Sequence, residues 1–179
     1  MQVRKIALTL AMMTVIALSA GLGLAQDRKP STPEQRAQAV RMTRALETDP
    51  LNKDAKKARE WLIFWLIQAP DITVTVCTDY LTPLYEKDKN REKNYAPEIA
   101  TQMMFSSAAF IIEHPDQAND AIDVNKAGLE GSLKAYESIS KTKPNVKWPF
   151  LDELIGRRDK GTLEEYVREI STTKCKGSK

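Results

Sequence analysis

Apolar side chains recur along this chain at steps of three and four, the spacing that gathers them on one face of an α-helix. The clearest case is Ala55, Ala58, Trp61, Leu62, Trp65 and Leu66, which predicts a helix over 51–68. Ile63, Phe64 and Ile67 add apolar groups on its other faces. A helix that is apolar nearly all round is expected at the centre of a fold. Its first half is charged, and the continuously apolar part is only about nine residues, too short to span a bilayer.

Five further stretches carry the same period. Over 32–47, Thr32, Pro33 and Gln35 read as the N-cap, first residue and third residue of a capping box, ahead of a weak stripe of Ala37, Val40, Ala45 and Leu46. Over 97–113, Ile99, Met103, Ala108 and Ile111 or Ile112 line one side. Met103, Met104 and Phe105 read as gap-filling core. Over 117–141 the stripe is Ile122, Leu129, Leu133, Tyr136 and Ile139, with Gly128, Gly131 and Ser132 small enough to admit a neighbouring helix. A short helix over 148–155 turns Phe150, Leu151 and Leu154 inward. A last one carries Leu163, Tyr166, Val167 and Ile170 behind Thr162 and Glu165, a second capping box.

One segment is ambiguous. In DITVTVCTDYL, residues 71–81, Ile72, Val74 and Val76 alternate with Thr73, Thr75 and Cys77 as in a strand. Ile72, Val76, Tyr80 and Leu84 also fit steps of four. No other segment alternates, so a strand would lack a partner. The expectation is a helix capped by Asp71 and bent or ended by Pro83. Residues 85–95, YEKDKNREKNY, read as a solvated charged connector. The fold class that follows is all-α: a compact bundle or hairpin array of six to seven helices forming one domain over 32–179.

The first 25 residues change the picture. Arg4 and Lys5 precede an uncharged run from Ile6 to Leu24, and Gly23 and Ala25 place small side chains before Gln26. This is the pattern of a secretory signal peptide over 1–25, followed by a polar spacer over 26–31. A retained single-pass anchor is the alternative, and it is the only membrane contact expected. Either way the protein is exported, periplasmic or secreted. Without Arg4 and Lys5 the formal charge falls from +3 to +1. A nearly neutral chain gives no electrostatic case for nucleic acid.

Export bears on the cysteines. Cys77 and Cys175 are the only two, and an even count in an oxidising space favours a bridge. Two free thiols, or a reactive Cys77, are the alternatives. A reactive thiol needs a base beside it, and the only histidine, His114, has no flanking signature.

Two short pieces, RALETDPLNKDA at 44–55 and LKAYESISKTKPN at 133–145, resemble the helix ends and junctions of tetratricopeptide repeats. Pro50 and Pro144 are not spaced at that repeat's period of about 34, and its Trp-Leu-Gly-Tyr pattern is missing. The likeness is one of helix-turn chemistry and not of membership.

Catalytic signatures are absent: no CxxC, HExxH, phosphate-cradling glycine loop or Gly-x-Ser-x-Gly occurs. One histidine cannot assemble an ordinary zinc site, and no cofactor is implied. The strongest remaining group is His114 with Glu113, Asp116, Asp120 and Asp123. Such residues could hold a divalent ion or act as acid and base, though carboxylates there also suit a helix start. Trp148 is either an exposed anchor for a partner or core beside Phe150 and Leu151. The functional expectation is an exported helical module that binds a protein or peptide partner without catalysis. A small-molecule or lipid binder, and a hydrolase built on the Asp/Glu/His group, are the alternatives.

Overall fold

The computed structural model describes residues 29–75, 77–85 and 94–175. The expected leader, most of the spacer and most of the charged connector lie outside them. Among the described residues there are seven α-helices and no strand: α1 (Pro33–Thr48), α2 (Ala55–Gln68), α3 (Thr82–Tyr85), α4 (Ala96–Glu113), α5 (Ala121–Thr142), α6 (Pro149–Asp159) and α7 (Leu163–Thr173). A 3-10 turn, Thr78–Leu81, leads into α3. The all-α expectation holds.

Helices α4 and α5 form the most extensive pair, and α1 packs against both. Small residues make this possible. A Cβ on Gly131 would lie 1.9 Å from Ser106 Oγ and 2.4 Å from Ser106 Cβ. One on Gly128 would lie 2.2 Å from Ser107 Oγ and 2.8 Å from the Met103 carbonyl oxygen. The hydroxyls along this seam are satisfied across it: Ser107 donates to the Val124 carbonyl at 3.1 Å and Ser132 to the Ile99 carbonyl at 2.9 Å.

Two apolar clusters flank the pair. One joins Tyr80, Leu84, Ile99, Met103, Leu133, Tyr136 and the inner faces of α6 and α7. The other joins α1 and α2 to Ile72, Phe105, Ala108 and Ile111.

Helix ends follow local chemistry where a side chain is at hand. The Thr32 capping box is present, with Thr32 N–H donating to Gln35 Oε1 at 2.9 Å and Gln35 N–H to Thr32 Oγ1 at 3.2 Å. Asp120 caps α5 by accepting from the N–H groups of Ile122 and Asp123 at 2.8 and 3.2 Å, so this helix begins at Ala121 and not at 117. The second box is not formed. The Thr162 hydroxyl and N–H both donate to the Arg157 carbonyl, and Gly161 N–H to that of Arg158. With Gly161 at φ 75°, this closes the C-terminus of α6 by a Schellman arrangement, which takes the hydroxyl away from α7. α2 starts at Ala55 and not at 51, because Asn52 Oδ1 accepts the Asp54 N–H at 2.9 Å and holds 51–54 in turns.

The segment after α2 is the main correction. Residues 72–75 and 77 are neither helix nor paired strand. Asp71 does not cap them: its carboxylate accepts from Ser31 N–H and Oγ at 2.7 Å each and pairs with Arg36 at 2.7 Å. Without a cap, a run of β-branched residues has little reason to coil. Pro83 opens α3 instead of ending a helix, as suits a residue with no N–H to offer.

Cys77 and Cys175 form a disulfide with a Cα–Cα distance of 5.8 Å, across 98 positions. It joins the end of this strap to the tail behind α7. Tyr80 reinforces the junction. Its hydroxyl bonds Ser171 Oγ, and its carbonyl accepts from the Tyr166 hydroxyl at 3.0 Å.

Three variants test this packing and the bridge. Gly131→Ala drives a methyl group into Ser106 and is expected to lower the unfolding free energy by about 1–3 kcal/mol. Gly156→Ala, in a helix with nothing within 4 Å of the new Cβ, is expected to raise it by about 0.5–1 kcal/mol. Urea unfolding of both variants checks the pair. Replacing both cysteines by alanine is expected to lower stability by about 2–4 kcal/mol, read as a lower urea midpoint than that of the oxidised parent.

Candidate interaction surface

The sequence places α2 at the centre of the fold; the structure places it at the edge. Leu62 and Trp65 point inward, at 1% and 5% exposure. Phe64 at 65%, Ile67 at 56% and Ile63 at 37% face outward. With side chains of roughly 150–200 Å2 each, these exposures amount to about 300 Å2 of apolar surface. That equals the low end of the largest patch on an ordinary soluble protein, about 300–600 Å2 and often functional.

The ridge is held in place from below. Trp61 and Trp65 stack with centroids 5.9 Å apart and planes within 5°. At the N-terminal end of the same helix, Lys53, Lys56 and Lys57 are exposed, and the first turn holds no acidic residue. Cations there oppose the helix dipole. Among the described residues Lys56 pairs with Glu60, at 3.9 Å and largely in solvent, a contact worth little, and the exposed Asp54 stands at the N-cap.

The residues singled out by sequence do not converge. His114 is exposed at the C-terminus of α4, its N–H donating to the Phe110 carbonyl and its ring 4.6 Å from that of Phe110. Asp116 is exposed in the following turn. Asp120 is spent on capping α5. Glu113 pairs with Arg44 at 2.5 Å. Trp148 is not on the surface: it is 9% exposed, and its Nε1 donates to the Asn94 carbonyl at 3.0 Å. Among the described residues the only trio of His, Cys, Asp or Glu with ligand atoms within 4.8 Å of one another is Cys77, Asp79 and Cys175. The two sulfurs of that trio are committed to the disulfide.

Sequence reasoning missed one polar cluster. Glu47 is 5% exposed, with Oε1 accepting from Ser106 at 2.7 Å and Arg44 at 2.5 Å, and Oε2 3.7 Å from Lys134. Gln102 bridges Ser106 Oγ and the Thr43 carbonyl. These partners satisfy the buried carboxylate and tie α1 to α4 and α5. Grooves of about 430 and 490 Å3 lie on either side of Arg44 and Lys134. The first sets Lys126 against Asp123 and Glu130, the second Lys141 against Glu137. Each groove is lined by three basic side chains and two acidic ones, but Arg44 is already paired with Glu47 and Glu113, Lys134 with Glu47 and Lys126 with Glu164. A ligand pocket is ordinarily apolar with a few polar groups, and these are mostly charged. A glutamate buried against three helices had no signal in the sequence beyond its place in a weakly apolar stripe.

No known protein family matches the chain, and no curated protein or solved structure is similar enough to it to support an assignment. No helix among the described residues is long and apolar enough to cross a membrane.

Asp71 gives this region a pH dependence. Burial pushes its carboxyl up, but the Ser31 hydroxyl and N–H and the Arg36 guanidinium favour the charged form and prevail, so it titrates below the ordinary aspartate value. A group depressed in the folded state stabilises it above the unfolded value, about 3.9. That contribution is lost as pH falls from there through the folded value. Asp71→Asn is therefore expected to weaken the parent more at pH 7 than at pH 3, measured as the change in urea midpoint between the two.

Proposed function

We propose that this protein is exported and binds a protein or peptide partner through the outer face of α2, without performing chemistry of its own. The observation that carries the reading is the exposed ridge of Ile63, Phe64 and Ile67 on a helix whose opposite face is fixed in the core. Apolar side chains that a fold leaves in water at this density mark contact surfaces, and an aromatic residue near the centre supplies most of the binding energy in such contacts. Lys53, Lys56 and Lys57 outnumber the exposed Asp54 and Glu60 at this end of the helix, which favours a partner segment with carboxylates next to its apolar side chains. About 300 Å2 is well below the roughly 800 Å2 per side of a stable dimer. A peptide or single helix from the partner therefore fits better than a large flat interface.

Export is supported by the three-part pattern of the first 25 residues and agrees with a disulfide, a bond that persists in oxidising compartments. The Asp/Glu/His group supports a hydrolase poorly, because Asp120 is occupied in capping and His114 caps the end of a different helix.

A photoreactive phenylalanine analogue at position 64, in the full chain produced in cells, tests the reading. A discrete adduct is expected from position 64, reduced at least tenfold by Ile67→Glu. The exposed position 160 serves as control. Equal labelling at 64 and 160 would remove the proposal. Ile67→Glu is expected to leave thermal unfolding within about 0.5 kcal/mol of the parent, which separates lost binding from lost fold.

A further inference from the structure

The strap between α2 and the 3-10 turn carries a second, independent surface. Ile72 is buried, Thr73 exposed, Val74 half-buried and Thr75 exposed, the inward-outward alternation of a strand packed by one face. The flanking residues Ala69 and Cys77 both have extended backbone. Yet no strand lies beside it among the described residues. Among the described residues, the N–H and C=O groups of Thr73, Val74 and Thr75 make no hydrogen bond.

The strap is also fixed at both ends. Asp71 is held by Ser31 and Arg36 at 2.7 Å. Cys77 is held by the disulfide to Cys175. Ile72 and Val74 pack into the cluster shared by α1, α2 and α4. An edge already ordered in this way loses little further entropy when something pairs with it.

Natural proteins blunt such edges with charged residues, proline or bulges. This one is not blunted: from Ile72 to Thr78 the sequence has no charged residue, no proline and no glycine. The geometry points to strand addition at Thr73–Thr75, with an uncharged extended peptide segment of a partner protein as its occupant. Main-chain hydrogen bonds would supply the affinity. The outward Thr73 and Thr75 would pair with β-branched side chains across the new ladder. Three residues of ladder bury far less than the roughly 800 Å2 per side of a stable dimer, which favours a peptide over a second copy of this chain.

The test uses the disulfide-bonded protein, the acetylated and amidated peptide TVTVT, and a counterpart N-methylated at every internal amide. Saturation with the plain peptide is expected to slow hydrogen exchange at least tenfold at one or more amides of residues 73–75. The N-methylated peptide is expected to bind at least tenfold more weakly. Thr75→Lys is expected to weaken the plain peptide several-fold while leaving the circular dichroism spectrum unchanged. No protection at millimolar peptide, or equal binding of the two peptides, would overturn the proposal. Protection of the same amides by raising protein concentration alone, with a dimer in sedimentation, would overturn it in favour of a second copy as the occupant.

Discussion

Everything else in this fold rests on how closely α4 can approach α5. The two helices meet where Gly128 and Gly131 face Ser107 and Ser106, at distances that leave no room for a Cβ on either glycine. That approach brings the backbones near enough for serine hydroxyls to reach carbonyls of the opposite helix. It also fixes the position of Glu47, which reaches Ser106 from α1. Gly131 sets both contacts, because a Cβ there would also stand 2.9 Å from Glu47 Oε1. The seam is thus a three-helix junction whose polar atoms are satisfied by one another, and the two apolar clusters lie to either side of it.

The periphery is held differently. α6 and α7 are short, and neither could persist alone. α6 is tied to α5 by Arg158, which grips Glu137 in a two-pronged pair at 2.7 and 2.9 Å. α7 is held by its apolar stripe, by the hydroxyls of Tyr80 and Tyr166, and by the disulfide behind it. The strap gains its order from the same devices. Its near end is an ion pair with α1 and its far end is a covalent bond to the tail.

The legible parts of the sequence were those decided within one helix. The stripes of α4, α5 and α7, the capping box at Thr32 and the stop near Glu113 depend on residues a few positions apart. The cysteine pairing was legible for another reason, since two cysteines allow only one intramolecular bridge. What failed depended on residues far away. Asp71 reads as a cap until Ser31 and Arg36, about 40 positions earlier, take its carboxylate. Thr162 reads as a cap until the end of α6 takes its hydroxyl. For α2, periodicity registers how apolar each face is, but not how many neighbours exist to cover it. The exposed ridge is thus present in the sequence as a helix apolar on too many sides, a pattern that by itself predicts burial.

That excess is not an error of packing that a small rotation could repair. Turning α2 to bury Phe64 would carry Leu62 and Trp65 toward water, and these are nearly fully buried. At about 25 cal/mol per Å2, exchanging a large inward tryptophan for an outward phenylalanine is a loss. The stacking of Trp61 on Trp65 further resists it. α2 is bounded at its start by the turns at 51–54 and at its end by the strap, so it cannot slide either. The helix therefore carries more apolar side chains than α1, its main neighbour, can cover. The surplus sits on a rigid element, and that is the condition under which an exposed ridge can serve as a binding surface and not collapse back onto its own core.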